Sequence, residues 1–519
     1  MKSLSEFDVI KGKLESLLQN DLGLEKKNMA LYGTGFGAEI IYKALTGLSL
    51  ENNLVLVFEN DSSPTIGETF HKIPIKVLSD EISQIGVILI GARKNHLIVK
   101  NRVEAYIKKC NAQNKIDVID LYGYNTDQDI REYVEFLEKK TLRKSERFVV
   151  YKKDLYKRKD DDTKIIAWYL PQFHQMESNN KYHGRGFTEW TNSSNTLPQF
   201  TDHYQPHIPY DVGYYDLTNL QTLRRQVELA NHYGIYGFCI HYYWFDGAKE
   251  MTEPIELLLR HPELDTHFCL SWATEDWTTR WTGEHDEVIH SIGNNPDSDR
   301  FARDIKKYFD DERYLRIDNK PVLVIYRNDV FDKDVFVRFI GGLRTSAKDL
   351  GFSDIYIIIS SGVSFNQNVA DWGGDALVEY NPWALMISEE SREYFHDIRP
   401  SGYCNPFFRG WIKDIEGLLS DKKYMIMHES KKYYRSAVMS WDNTARKALG
   451  DAGVILGITP DSFRDWVRDI IDESKRIHDI EEDYVFINSW NEWAEGNYME
   501  PDLQWGKAYL NALHDELFD

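Results

Sequence analysis

The feature that most limits how this chain can fold is an alternation that starts at Ile165 and runs to the C-terminus, a short apolar run followed by an amphipathic helical stretch. Apolar runs fall at 165–170, 235–241, 268–272, 322–326, 355–360, 376–380, 437–441 and 484–489; helical periodicity fills intervals such as 220–233, 299–310, 335–350 and 462–478. Continuous apolar runs of this length suit strands buried on both faces, and parallel strands need a helix to cross between them. Eight such units predict a (β/α)8 TIM-type barrel. At about 355 residues the unit exceeds the roughly 250 of a typical barrel, so insertions are expected after strands one, three and six.

Barrel folds place their chemistry at the C-terminal ends of the strands. Strand one, with Tyr169 near its end, runs into Gln172 and His174, and strand two into His241, Tyr242, Tyr243 and Trp244. Strand three leads to Trp272, Glu275 and Trp277, with Arg280 beyond; strand four ends at Tyr326, strand six at Glu379 and strand seven at Trp441 and Asp442. Polar and aromatic groups therefore gather on one rim, as a carbohydrate cleft requires, because aromatic rings stack on the apolar faces of sugars. Side-chain alternation lets only some of Tyr242, Tyr243 and Trp244 face the mouth. His174 and His241 have no second ligand at metal spacing and read as hydrogen-bonding groups. Glu275 and Glu379 read as further acids or binding groups, and Arg280 as either a phosphate ligand or an ion-pair partner.

Strand eight ends in Trp490-Asn491-Glu492-Trp493-Ala494-Glu495-Gly496. Two carboxyls three residues apart, set among tryptophans, form the candidate reaction centre. Burial disfavours their charged forms, and one member of a close pair is pushed further by its neighbour's charge, which separates an acid from a base.

Residues 1–145 read as a smaller, doubly wound Rossmann-like domain, with strands at 28–32, 54–58, 87–91 and 117–120 alternating with helices. Its first strand enters the loop Gly33-Thr34-Gly35-Phe36-Gly37-Ala38, and the second ends at Glu59. Such a loop permits close approach of a phosphate to a helix N-terminus, and the acidic residue meets a ribose hydroxyl. Gly33, Gly35, Ala38 and Glu59 are thus candidate contacts for a sugar nucleotide, with a docking or structural role as the alternative; no proton relay accompanies the loop to support hydride transfer. The charge run within 146–163 reads as a solvated linker to the barrel unit, 164–519.

With 62 basic and 83 acidic residues the net charge is -21, which argues against nucleic acid or an anionic membrane surface as partner. No segment approaches the roughly 20 apolar residues of a membrane span, and no signal-peptide core opens the sequence, so a cytoplasmic location is expected. Cys110, Cys239, Cys269 and Cys404 lie far apart and read as buried reduced thiols rather than disulfides or zinc ligands. None of the 14 tryptophans precedes Trp168, which leans the second unit towards carbohydrate.

From about Ile165 to Leu513 the chain resembles the WbsX-type glycosyltransferases, whose members carry a domain similar to glycoside hydrolase family 99. The resemblance rests on 168–174, on Gly186-Phe187-Thr188-Glu189-Trp190, on His203-Tyr204-Gln205-Pro206-His207, on 233–238, on Tyr243-Trp244-Phe245, and on 490–496 followed by Glu500-Pro501. The family's Trp-Ala-Asn-Glu-Asn-Trp pattern after strand three is altered here to Thr274 and Asp276 at the two Asn positions. The resemblance implies that Glu492 and Glu495 match the catalytic pair of a retaining endo-α-mannosidase. The first acts as base on the sugar 2-hydroxyl to form a 1,2-anhydro sugar, and the second protonates the leaving oxygen, with Tyr326 placed to hydrogen-bond the base. It implies no metal. It adds Glu189, Trp190, Asn491 and Trp493 to the candidate substrate contacts.

Three functions remain open on the sequence. The first is a glycosyltransferase of O-antigen or capsular polysaccharide assembly, using a nucleotide sugar and a glycan or lipid-linked oligosaccharide acceptor. The others are an endo-acting retaining glycoside hydrolase and a non-catalytic glycan-binding protein.

Overall fold

The computed structural model describes residues 6–19, 23–59, 63–78, 80–92, 96–110, 112, 115–122, 144–153, 158–279, 287–361, 368–398, 405, 408–428, 432–447 and 451–518. The chain forms two compact units, 1–141 and 142–519.

In the N-terminal unit a sheet runs in the order Thr69–Phe70, Ile73–Val77, Leu54–Glu59, Met29–Tyr32, Val87–Ile90, Asp117–Asp120. The first strand is antiparallel to its neighbour and the others are parallel. Both faces are covered. Met29 and Leu31 enter a core with Ile40, Ile41 and Leu45 of the helix Phe36–Gly47, while Ala30 and Tyr32 enter a second core with Val103 and Ile107 of the helix His96–Lys109. This is the doubly wound arrangement, with Ile73–Val77 as a strand beyond the four expected.

The second unit is the expected barrel. Its parallel strands are Lys164–Tyr169, Ile235–Phe245, His267–Trp272, Lys320–Ile325, Tyr356–Ser360, Ala376–Val378, then Tyr433–Tyr434 with Ser436–Val438, and Tyr484–Asn488. The seventh position closes the ring. Tyr433 and Tyr434 pair with Leu377 and Val378 of strand six, and Ser436, Ala437 and Val438 pair with Phe486, Ile487 and Asn488 of strand eight. The sequence places this strand at 437–441, several residues too late. Arg435 hides its start, because its guanidinium is buried in the wall against Glu379 and Glu473.

Helices cover the barrel by burying one stripe. Pro460–Ile477 starts at a capping box between Thr459 and Ser462 with Pro460 in its first turn, and buries Phe463, Trp466, Val467, Ile470 and Ile471. Each such side chain contributes about 1.5–3 kcal/mol.

Insertions follow strands one, three and six as expected, and a further one follows strand seven. Trp441–Asp442 leaves the barrel to join a small sheet in the order His396–Asp397, Trp411–Asp414, Gly453–Leu456, Trp441–Asp442. The segment expected as a solvated linker is tied down in part. Ser145 and Val149 N–H groups donate to the carbonyls of Gln504 and Trp505, and Lys507 N–H donates to Val149. Cys239 and Cys269 are buried opposite each other on strands two and three, but Cys110 is exposed; Cys404 lies outside the described residues. Among the described residues no helix is long and apolar enough to cross a membrane.

Candidate active site

The end of strand eight is locked before it reaches the glutamates. Trp490 N–H donates to the Trp168 carbonyl at 2.7 Å, and the Asn491 amide bonds both backbone groups of Leu170, Oδ1 to the N–H at 2.8 Å and Nδ2 to the carbonyl at 3.0 Å. Asn491–Glu492 then pairs with Asn497–Tyr498, enclosing a single turn at Trp493–Glu495. Gly496 closes this turn with φ at +58°, where a Cβ would lie 2.9 Å from that of Asp442, so both conformation and space demand glycine. The single turn that follows Glu492 brings Glu492 and Glu495 to the same cavity.

That cavity, about 520 Å³, opens at the C-terminal ends of the strands. Arg446 binds both glutamates, Nη1 donating to Glu495 Oε1 at 2.6 Å and Nη2 to Glu492 Oε1 at 2.9 Å, while its Nε lies 3.8 Å from the buried Glu189. Burial pushes both carboxyls up, Glu492 further. The guanidinium opposes the rise, while Glu495 and Glu189 add to it at Glu492, and Glu275 adds to it at Glu495. Glu492 is the more enclosed, its side chain 5% exposed against 20% for Glu495.

Of the expected residues, Tyr326, His241, Tyr243, Glu275, Trp277 and Trp441 line this cavity with the pair. The Tyr326 ring packs edge-on against His241 and Tyr380, and among the described residues its hydroxyl bonds neither glutamate. Burial, then Arg446, pushes His241 down to about 4, so the ring is neutral at neutral pH. Alternation sorts strand two as expected. His241, Tyr243 and Phe245 face the cavity, whereas the Trp244 indole donates outwards to Asp304 at 2.8 Å.

Other expected contacts lie elsewhere. Trp272 packs on Phe301 and Phe339 of the covering helices, and the Tyr169 hydroxyl donates to Gln226 at 2.9 Å. Gln172 is buried outside the cavity lining, and His174 Nε2 is 3.2 Å from Glu253. Trp190 donates to the Tyr215 carbonyl and packs against Trp493, which stacks on Tyr498 at 3.7 Å and donates to Glu500. These residues brace the motif. Glu500 also accepts from Gln226 and Tyr215, and burial pushes it up to about 7. Asp442 accepts from His203 and Gln205 at 2.6 Å and caps the turn Asn443–Arg446. Glu379 belongs to the barrel wall, and Arg280 lies outside the described residues.

The two departures after strand three have structural partners. Thr274 Oγ1 donates to the Arg327 carbonyl at 2.6 Å and accepts from its N–H, and Asp276 accepts from Ser291 Oγ and Ile292 N–H. Sequence reasoning missed Arg446 and Lys447, whose signal was their place four and five residues beyond the rim residue Asp442. It also left Trp383 and Tyr380 off the list although both stand at the strand-six rim. Among the described residues no group of histidine, cysteine or carboxylate side chains could hold a metal ion.

In the N-terminal unit Gly33 has φ at +109° and its N–H donates to Phe58, while Gly35 precedes the helix Phe36–Gly47 and Ala38 is buried. Glu59 Oε1 accepts from both the N–H and the hydroxyl of Thr34, at 2.8 and 2.6 Å. The acidic residue therefore caps its own loop.

Two curated relatives, each described as uncharacterized protein WxcX, from two strains of Xanthomonas campestris pv. campestris, are 34% identical over 355 residues, or 68% of this chain and 49% of theirs. The chain spans about half the length of these relatives. Among solved structures, the GH99 endo-alpha-mannosidase from Bacteroides thetaiotaomicron with BIS-TRIS-propane is 13% identical with a TM-score of 0.43, covering 69% of this chain and 96% of that one. A glycoside hydrolase-like protein is 14% identical with a TM-score of 0.41, covering 72% and 98%. The family described as Glycosyltransferase WbsX matches residues 165–513, the whole barrel from its first strand to its last helix. The chain therefore belongs to the WbsX glycosyltransferase family of carbohydrate-active proteins.

Proposed function

We propose that the barrel unit is a retaining glycosyltransferase of polysaccharide assembly that works through Glu492 and Glu495. The observation that carries this reading is a buried and a partly buried carboxyl, Glu492 and Glu495, held on one guanidinium at the wall of a cavity lined by Tyr243, Trp277, Tyr380, Trp383 and Trp441. Such a cavity accepts a sugar on its aromatic faces and sets an acid beside a base.

The reaction needs one proton on the pair. Glu492 takes the proton of the sugar 2-hydroxyl, whose oxygen attacks the anomeric carbon as the bond to the leaving oxygen breaks, and Glu495 gives its proton to that oxygen. An acceptor hydroxyl then opens the 1,2-anhydro ring, its proton passing to Glu495 while Glu492 returns its own to the 2-oxygen. Two displacements retain the configuration, and no enzyme nucleophile is used. Burial favours the neutral form of both carboxyls and Arg446 opposes it. With the sugar bound, the 2-hydroxyl bond favours the ionised Glu492 and covering the more open Glu495 favours its neutral form.

A nucleotide sugar made in the cytoplasm is the proposed donor, with a glycan or lipid-linked oligosaccharide of O-antigen or capsule as acceptor. In the N-terminal unit, taken by itself, the loop at Gly33 and Gly35 before the helix Phe36–Gly47 is proposed to approach a nucleotide phosphate, whereas Ala38 is buried in the core and Glu59 is engaged by Thr34. One observation favours a second reading. Glu495 is a fifth exposed, so water reaches the acceptor position, and the same steps with water make an endo-acting hydrolase. The test incubates the protein with sugar nucleotides plus glycan acceptors and, separately, with α-linked oligosaccharides. Acceptor-dependent nucleotide release is expected; reducing ends formed without any nucleotide would establish the hydrolase instead.

A further inference from the structure

Arg446 projects from an anchored turn. Thr444 N–H donates to Asp442 Oδ1 at 3.0 Å at one end of Asn443–Arg446, and Asn443 Oδ1 accepts Gly453 N–H at 2.8 Å. Asp442 is itself held by His203 and Gln205. From this base separate nitrogens of one planar fork reach Glu495 and Glu492, a geometry that an ammonium does not reproduce.

Among the described residues, the charged and titratable groups facing the pair come from every side. They are Glu189 after strand one, His241 and Tyr243 on strand two, Glu275 after strand three, Tyr326 after strand four, Tyr380 after strand six, and Lys447 beside Arg446. Arg327 also lines the cavity, but its guanidinium holds Glu275 at 2.6 Å and Asp329 at 2.8 Å. Among the described residues Arg446 is therefore the cation that hydrogen-bonds Glu492 and Glu495 directly.

We propose that Arg446 is a positioning residue that fixes the orientation of Glu492 and Glu495 and keeps one of them ionised at neutral pH. The proposal rests on reading the pair as the reaction centre. Without the guanidinium, burial and mutual repulsion favour the neutral form of each carboxyl, and the pair would meet the sugar with two protons and no base.

The sign of the linkage gives a test that needs no substrate. A carboxyl whose folded pKa lies above its unfolded value contributes stability at low pH that is lost as pH rises through the folded pKa. Removing Arg446 raises both carboxyls further, so its cost grows with pH. The unfolding temperature of the full chain is measured at about pH 5 and about pH 8 for the wild type, Arg446→Met, Arg446→Lys, Glu492→Gln/Glu495→Gln and the combination of the last with Arg446→Met. The Arg446→Met penalty is expected to be larger at the higher pH by about 4 °C or more. In the double-Gln background most of that pH dependence disappears. Equal penalties at the two pH values, or a pH dependence that survives the double-Gln change, would overturn the proposal. If Arg446→Met does not fold, Arg446→Lys decides by the same comparison, since an ammonium lacks the planar fork whose two nitrogens hold the two carboxylates separately. Where turnover is measurable, the acid limb of the Arg446→Lys pH profile moves up by about one unit. Wild-type turnover in Glu492→Gln and Glu495→Gln would instead remove the reaction-centre reading while leaving the stability linkage standing.

Discussion

The ends of strands six and eight each carry a buried glutamate, and the two have opposite fates. Glu379 is 0% exposed and Glu492 4%. Both oxygens of Glu379 are taken by the barrel wall: Oε1 lies 2.9 Å from His428 Nε2 and accepts from Arg435 Nη1 at 2.6 Å, and Oε2 accepts from Ser436 N–H at 2.9 Å. Burial alone would raise its pKa, but Arg435, His428 and the backbone donor together hold it below the ordinary carboxylate value. Glu492 moves the other way, raised by burial that Arg446 only partly offsets. Burial therefore does not distinguish a site from a strut. What separates them is whether the surroundings saturate the carboxylate or leave part of it facing a cavity.

The largest effects that test this contrast are on turnover. Glu492→Gln and Glu495→Gln are each expected to lower turnover about 10²–10⁴-fold, the range for a lost general acid or base, with circular dichroism of the folded barrel retained. Near-wild-type rates in both would break the contrast at its active end.

The next effect lies at the other end. Glu379→Gln removes one of the two carboxylates that hold the buried Arg435, leaving Glu473, and is expected to cost about 1–3 kcal/mol of stability, read by denaturant unfolding, while the folded fraction turns over at the wild-type rate. Loss of turnover at unchanged stability would make Glu379 a site residue after all.

The contrast also explains what the sequence could carry. Strands and rim were legible because buried runs and the period of two are local, and that period separates His241 and Tyr243 from Trp244. The glutamate pair was legible because its two members share one short motif. Glu379 could not be told from a binding acid, since its partners His428 and Arg435 come from 49 and 56 residues further on. Arg446 was overlooked for a related reason. Its position depends on Trp441–Asp442 leaving the barrel to pair with Gly453–Leu456, and a start of strand seven marked by a buried arginine moved that register out of sight. Trp272, read as a sugar contact, illustrates the remaining error, in that an aromatic at a strand end fills the layer between sheet and helices as readily as the mouth.

The smallest expected effect sharpens the account of the cavity wall. His241 lies 5% exposed on that wall, and burial followed by Arg446 brings it from an ordinary value of 6.5 down to about 4. Between those values the folded protein binds fewer protons than the unfolded chain. The stability His241 allows is thus present above pH 6.5 and is lost as pH falls towards about 4. At about 1.4 kcal/mol per unit the loss amounts to about 3 kcal/mol at most. His241→Asn removes that titration, so its unfolding temperature should fall less than the wild type's across this window, and the pH dependence of turnover should keep its limbs, which the proposed function assigns to Glu492 and Glu495. Proton NMR of the His241 ring checks the premise directly. A midpoint near 6.5 would mean that the wall is wet, and the burial that raises Glu492 while Glu379 is held down would lose its force.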